Sequence, residues 1–240
     1  MRFIEVLASR AMDLAGDLSI VDYCICLRAT YVVVSDGRRE AIGMAHVSYE
    51  DLHGIGRVME PSIDYLPNMV IDVNPLNRVL GLALINAISQ YHITEVRQDE
   101  LELRSPVCVV GLMRPLIEEL RSKGLEVYVF ERSPYLRGDN AYSDVEEELL
   151  IPRCGTVYIT GMALLNFTID RLLDFSRGGI NVLIGPSASL LPELVKGLGI
   201  HYIESMKFTD VKTVKKHLRL GGYVSLKVHS NLGIPYRFKV

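Results

Sequence analysis

Residues 156–187, TVYITGMALLNFTIDRLLDFSRGGINVLIGPS, decide the fold. The apolar runs Val157 to Thr160 and Asn181 to Ile184 read as strands, and the amphipathic stretch from Ala163 to Ser176 reads as the helix that joins them. A strand–helix–strand unit sets its two strands parallel in one sheet. Thr160-Gly161 closes the first strand, and Gly185-Pro186-Ser187 closes the second. In open α/β sheets, ligands bind in the crevice beyond the carboxyl ends of the strands. These five residues therefore mark where a site is expected, without naming a reaction.

The same alternation extends in both directions. Upstream lie a strand at Pro106 to Val110, a helix from Leu112 to Lys123 ending at Gly124, a strand at Glu126 to Phe130 and a helix at Ser143 to Leu150. Downstream come a helix at Leu190 to Lys196, a strand at His201 to Ile203, a helix at Val211 to Leu220 and a strand at Tyr223 to Val228. Apolar strands alternating with amphipathic helices predict an α/β, Rossmann-like parallel sheet over residues 101–240. Residues 1–100 read differently. Ile4, Leu7, Ala8, Ala11, Met12 and Ala15 trace a helical stripe, followed by three β-rich runs: Ser19 to Leu27, Thr30 to Ser35 and Ala41 to Val47. Asp36-Gly37 is a hairpin signal. Ser48 to Pro75 is irregular, and Asn77 to Tyr91 is again helical. This predicts a small α+β domain with an antiparallel meander, joined to the second domain through the charged stretch Glu95 to Glu102.

Composition narrows the function classes. The chain of 240 residues carries a net charge of -3, which gives no electrostatic footprint for nucleic acid or an anionic membrane. The basic run Lys212 to Arg219 alternates with apolar positions and reads as the wet face of a helix. No apolar run reaches the roughly 20 residues that span a bilayer, and the amino terminus shows no signal-peptide pattern. A cytoplasmic location is expected. Cys24, Cys26, Cys108 and Cys154 fall in apolar stretches, which suits buried reduced thiols. Folds of this kind often pair as homodimers, although the sequence marks no interface.

Further candidates follow from position. The first β–α junction holds Gly111 alone where a dinucleotide fold places G-x-G-x-x-G, which disfavours NAD. Glu131 ends the second strand, where an acid commonly takes ribose hydroxyls; a plain surface charge is the alternative. Asn166 sits at the edge of the polar side of its helix, able to face the crevice or simply to cap. The turn at Gly185-Pro186-Ser187 opens a helix start that offers N–H groups to an anion. The six histidines are dispersed, Cys24-x-Cys26 lacks a second pair for zinc, and no activated nucleophile is recognisable.

Gly111 to Pro115 (G-x-x-x-P), VYVFERSP (Val127 to Pro134), ITGMALLNFTIDRLL and VLIGPSASLLPELVKGLG resemble the "putative heavy-metal chelation" family, long a domain of unknown function. VVVSDGRREAIGMAHV (Val32 to Val47) and GLALINAIS (Gly81 to Ser89) resemble that family's enolase-N-terminal-like first domain. The resemblance implies a site in the cleft between the two domains, formed in part by Thr160, Gly161, Asn166, Gly185, Pro186 and Ser187, with Asn86 reaching it from the first domain. No Cys/His cluster accompanies it, so a divalent metal would be held by oxygen ligands or arrive within a small organic chelator. Three readings result. The first is a protein that binds a small-molecule or metal ligand in the cleft. The second is an enzyme using an adenosine-type cofactor such as S-adenosylmethionine, with Glu131 on the ribose. The third is a non-catalytic assembly or sensing protein whose exposed apolar patch comes from Ile55, Val58, Met59, Ile63, Tyr65 and Leu66.

Overall fold

The computed structural model describes residues 1–226, 229 and 231–240. It contains two sheets. Strands β1 (Ser19–Ile25), β2 (Ala29–Ser35) and β3 (Glu40–His46) form an antiparallel meander. Asp36 accepts hydrogen bonds from the N–H groups of Arg38 and Arg39, both at 2.9 Å, and so folds the β2–β3 turn. The helix Phe3–Ala15 buries Phe3, Ile4, Leu7, Ala8, Ala11 and Ala15 along one stripe. The helix Pro75–His92 starts with Pro75 behind the Asn74 cap, whose side chain accepts from Leu76 N at 2.9 Å. This helix is buried almost all round, because it lies against β2 and β3, the first helix and the turn at residues 186–188.

The second sheet is built from β4 (Val107–Val110), β5 (Val127–Phe130), β6 (Thr156–Thr160), β7 (Ile180–Ile184), β8 (Tyr202–Phe208) and β9 (Gly233–Lys239), in the order β5-β4-β6-β7-β8-β9. The first five of these strands run parallel, and β9 is antiparallel to β8. This is the flavodoxin-type order, in which the chain leaves β4 to one side for β5 and returns to the other for β6. The switch point therefore falls between the ends of β4 and β6, at Gly111 and Thr160.

Several elements differ from expectation. The helix expected over Ala163 to Ser176 is a 3-10 turn, Gly161–Leu164, followed by a helix only from Ile169 to Phe175. The break falls at Phe167, whose φ is 60° and whose ring lies 4.9 Å from the Arg2 guanidinium and 5.3 Å from that of Arg78. The strand expected over Tyr223 to Val228 does not form across Tyr223 to Leu226, and the remainder lies outside the described residues. The last strand is β9, and it pairs with the whole of a longer β8. The cysteines are paired rather than free: Cys24 with Cys26, and Cys108 with Cys154 across 46 residues. Strand β4 and the turn before β6 bring the second pair to a Cα separation of 5.8 Å. No helix among the described residues is long and apolar enough to cross a membrane.

One apolar core runs from Leu7, Val34 and Leu84 through to Ile159, Leu183 and Ile203, so the two sheets share it. Buried amides tie them together. The Gln90 side chain donates to Met206 O at 2.9 Å and accepts from Phe208 N at 3.0 Å, occupying the stretch of β8 that extends past β7.

Candidate functional site

A cavity of about 910 Å³ opens over the carboxyl ends of the parallel strands. Gly111, Glu131, Thr160, Gly161, Asn166, Gly185, Pro186 and Ser187 all line it. Asn86 does not. It is buried in the Pro75–His92 helix, and its amide donates to Met44 O at 2.8 Å and to Ser187 O at 3.0 Å. Asn86 thus holds the Ser187 turn against β3 from behind the cavity wall.

The floor is set by backbone approach. A Cβ on Gly161 would lie 2.7 Å from the Ser187 carbonyl carbon and 2.8 Å from Ala188 N, so only glycine lets the two strand-end turns touch. Gly111 has φ +97° and faces the Thr160 side chain. These turns offer fewer free donors than expected. The Gly185 N–H goes to Glu204 O at 3.0 Å, the Met162 N–H returns to Thr160 Oγ1 at 3.4 Å, and Pro186 has none. The Asn166 side-chain oxygen accepts from Thr168 N at 3.2 Å and from Thr168 Oγ1 at 2.8 Å, which stitches the helix break. Its remaining amide edge is the part available to the cavity.

Glu131 follows the last residue of β5, and its carboxylate has internal partners. Its carboxylate accepts from Leu112 N at 3.0 Å and from Ser133 N at 2.9 Å, so it fixes both loops on its side of the switch point. Glu131→Ala is expected to lower stability by about 1–3 kcal/mol, because two N–H groups lose a charged acceptor. Urea unfolding of the variant beside wild type measures it.

The other wall comes from the first sheet and was not singled out in the sequence. His46, the last residue of β3, packs its ring on Tyr223 with centroids 4.3 Å apart. Its N–H donates to Ser187 Oγ at 3.0 Å, and that hydroxyl lies 3.2 Å from the ring Nδ1. Burial pushes the His46 pKa down to about 4. Burial, and secondly the charge of Glu131, raise that of Tyr223. The irregular segment after His46 forms a strap over the rim. Glu50 accepts from the Ser133 hydroxyl, Asp51 pairs with Arg132, and the Tyr49 hydroxyl donates to Leu27 O. Of the apolar residues expected as a patch further along, Ile55, Val58 and Tyr65 are exposed, whereas Leu66 is fully buried. The only local signal for this wall was a histidine at the end of a strand, with two acids a few residues further on.

The acids around the cavity are committed. Glu147, whose pKa burial raises, pairs with Arg171 at 2.7 Å, and Glu204 pairs with Arg237 at 3.1 Å. Among the described residues no group of three His, Cys, Asp or Glu side chains is placed to hold a metal ion. The donor set of the cavity thus does not fit a bare heavy-metal ion. Most of its wall area is instead apolar, from Val110, Leu112, Met113, Phe130 and Leu136, although many of the lining residues are polar or charged.

Fold and cavity together define a mixed α/β protein: a mostly parallel six-stranded sheet with flavodoxin-type strand order, joined through a common core to a small antiparallel sheet. The chain belongs to the DUF364 family, described as "Putative heavy-metal chelation", whose profile matches residues 96–229; a companion profile with the same description, DUF4213, matches residues 8–89. An uncharacterized protein of Methanocaldococcus jannaschii is 33% identical over 237 residues, 90% of each chain. A crystal structure of a DUF364 protein of unknown function from Pyrococcus horikoshii superposes with a TM-score of 0.89 at 31% identity, covering 99% of this chain and 100% of that one. A second, from Desulfitobacterium hafniense, has a TM-score of 0.78 at 19% identity over 99% and 98% of the chains, a likeness of fold.

Proposed function

We propose that this protein binds a small organic ligand, one that complexes a metal, in the cavity between its two units, residues 1–100 and 101–240. The observation that carries this reading is the cavity itself. Its volume of about 910 Å³ and largely apolar lining suit an organic molecule, while its acids are spent on internal partners. A metal would enter already held by oxygen or nitrogen atoms of the ligand, and the family description is compatible with that route. The Asn166 amide and the Ser187 turn orient the ligand, and the His46–Tyr223 stack bounds it.

The test combines native mass spectrometry of the purified protein with thermal shifts across small oxygen-rich chelators, each with and without a divalent metal. A retained or stabilising chelate whose effect is lost in Met113→Trp, which fills the rim, is the expected result. A shift that survives Met113→Trp, or none across the panel, overturns the reading.

A second reading, an enzyme with an adenosine-type cofactor, is favoured by one observation: the Glu131 carboxylate lines the cavity at the end of β5, beside Gly111. Under it, S-adenosylmethionine or adenosine raises the melting temperature of wild type but not of Glu131→Gln. Equal shifts in both proteins sink it.

A further inference from the structure

The cavity lining holds no cysteine, whereas the far edge of the first sheet holds two. Asp22, Cys24 and Cys26 alternate along one face of β1 and just past its end, half-buried, while Val21, Tyr23, Ile25 and Leu27 point the other way and are exposed. Cys24 and Cys26 are joined as a disulfide with their Cα atoms 5.5 Å apart. The loop they close holds a single intervening residue, whereas a disulfide stabilises chiefly by closing long loops. Cys108–Cys154 spans 46 residues and is buried at 0% and 5% exposure, as a structural bridge should be. Cys24–Cys26 therefore contributes little to holding the fold, and it is partly exposed where it packs on the cluster of Tyr31, Val33 and Met206.

Basic side chains reach the same face of β1. Lys215 and Arg219, on the helix Val211–Arg219, both pair with Asp22, two residues before Cys24. The Arg219 guanidinium lies 5.6 Å over the ring of Tyr31, the residue opposite Cys24 in the β1–β2 register. Positive charge beside an accessible cysteine stabilises its ionised, metal-binding form. Neither cysteine lines the cavity.

We propose that Cys24 and Cys26 form a redox-gated site for one soft metal ion, separate from the ligand cavity. A dithiol reductant opens it: the Cys24–Cys26 bond breaks, each sulfur takes a proton, and the reductant's two sulfurs join as its own disulfide. A soft cation such as Hg²⁺ or Cu⁺ then displaces those two protons and forms two metal–sulfur bonds. Two sulfurs that belong to no group of three metal-binding side chains among the described residues suit a two-coordinate soft ion, not zinc, which takes four ligands.

The test uses the full-length protein, oxidised or treated with a mild dithiol, desalted without oxygen, incubated with mercuric chloride and desalted again. Reduced protein is expected to release two thiols and to retain mercury near one equivalent per chain, with Cys24 and Cys26 shielded from iodoacetamide in peptide mapping. Oxidised protein and Cys24→Ser/Cys26→Ser are expected to keep only background metal, while Glu131→Gln and Met113→Trp behave as wild type. Unshielded Cys24 and Cys26, mercury mapped to Cys108 and Cys154, no thiols released, or full retention by the double-serine variant each overturns the proposal. The mapping needs no variant to fold. Retention that survives the serines but falls in Met113→Trp would move the metal to the cavity, so failure of this site is distinguishable from failure of the cavity reading.

Discussion

Gly43→Ala is expected to leave no folded protein, although it adds only one methyl group. Gly43 lies in the middle of β3, where the strand crosses the Pro75–His92 helix backbone to backbone. A Cβ there would fall inside the main chain of Ala83, Asn86 and Ala87. Overpacking against side chains typically costs about 1–3 kcal/mol, because they can move aside. Here the obstacle is a hydrogen-bonded helix, so β3 must separate from it. That separation also pulls His46 from Ser187 and breaks the Asn86 bond to Met44, and both hold the cavity wall. The loss should exceed ~3 kcal/mol, a large part of the 5–15 kcal/mol typical of a whole domain. Soluble yield and the far-ultraviolet circular dichroism melt check it. Gly54→Ala, where an added Cβ meets nothing within 4 Å, is the control and should melt as wild type does. A Gly43→Ala protein that melts near wild type would mean the helix and β3 are not packed this closely.

That contact illustrates which parts of the molecule can be read from sequence. Local periodicity carries elements that bury one face: the stripe from Phe3 to Ala15, the Asp36-Gly37 hairpin, and the strand ends at Thr160 and Gly185 all form where the pattern places them. The floor of the candidate site was legible for the same reason, since parallel strands present their carboxyl ends to one crevice. What escapes is anything decided by a distant partner. Gly43 reads as a flaw in a strand until the helix it touches is known. Asn166 has a helical pattern on both sides, yet its carboxamide takes the Thr168 N–H and Phe167 turns to positive φ between two arginines, which breaks the helix. Cys108 and Cys154 lie in separate apolar stretches, and only the sheet brings them together. Strand β9 alternates Ile234, Tyr236 and Phe238, but Gly233 and Pro235 interrupt the pattern, and β8 offers it a full-length partner. The His46–Tyr223 wall needs two segments far apart in the chain, and no local signal joins them.

That wall also carries a pH signature. His46 is held neutral by burial, with a pKa lowered from 6.5 to about 4. The Ser187 oxygen accepts the His46 main-chain N–H, and its hydroxyl lies 3.2 Å from the ring Nδ1, an exchange that requires Nδ1 to be the unprotonated acceptor; the buried Nε2 has no hydrogen-bond partner among the described residues. Protonating Nδ1 would break this exchange and place a charge in the seam between the sheets. In the unfolded chain the ring titrates normally. Above pH 6.5 neither state binds the proton and the full stability is present. As pH falls from 6.5 toward 4 the unfolded state gains a proton that the folded state refuses, so stability declines through that window. Below about pH 4 both states are protonated and this group costs nothing further. Each pH step of one between those two values removes about 1.4 kcal/mol, so the loss from His46 is about 3 kcal/mol. His92 and His201 have their pKa values lowered in the same direction, so the readout is the difference between wild type and His46→Asn. Denaturant midpoints at pH 7 and pH 4.5 should show a markedly smaller acid loss in the variant. Parallel curves for the two proteins would mean that His46 meets water and that the seam beside Ser187 is open, which would remove one wall from the proposed cavity.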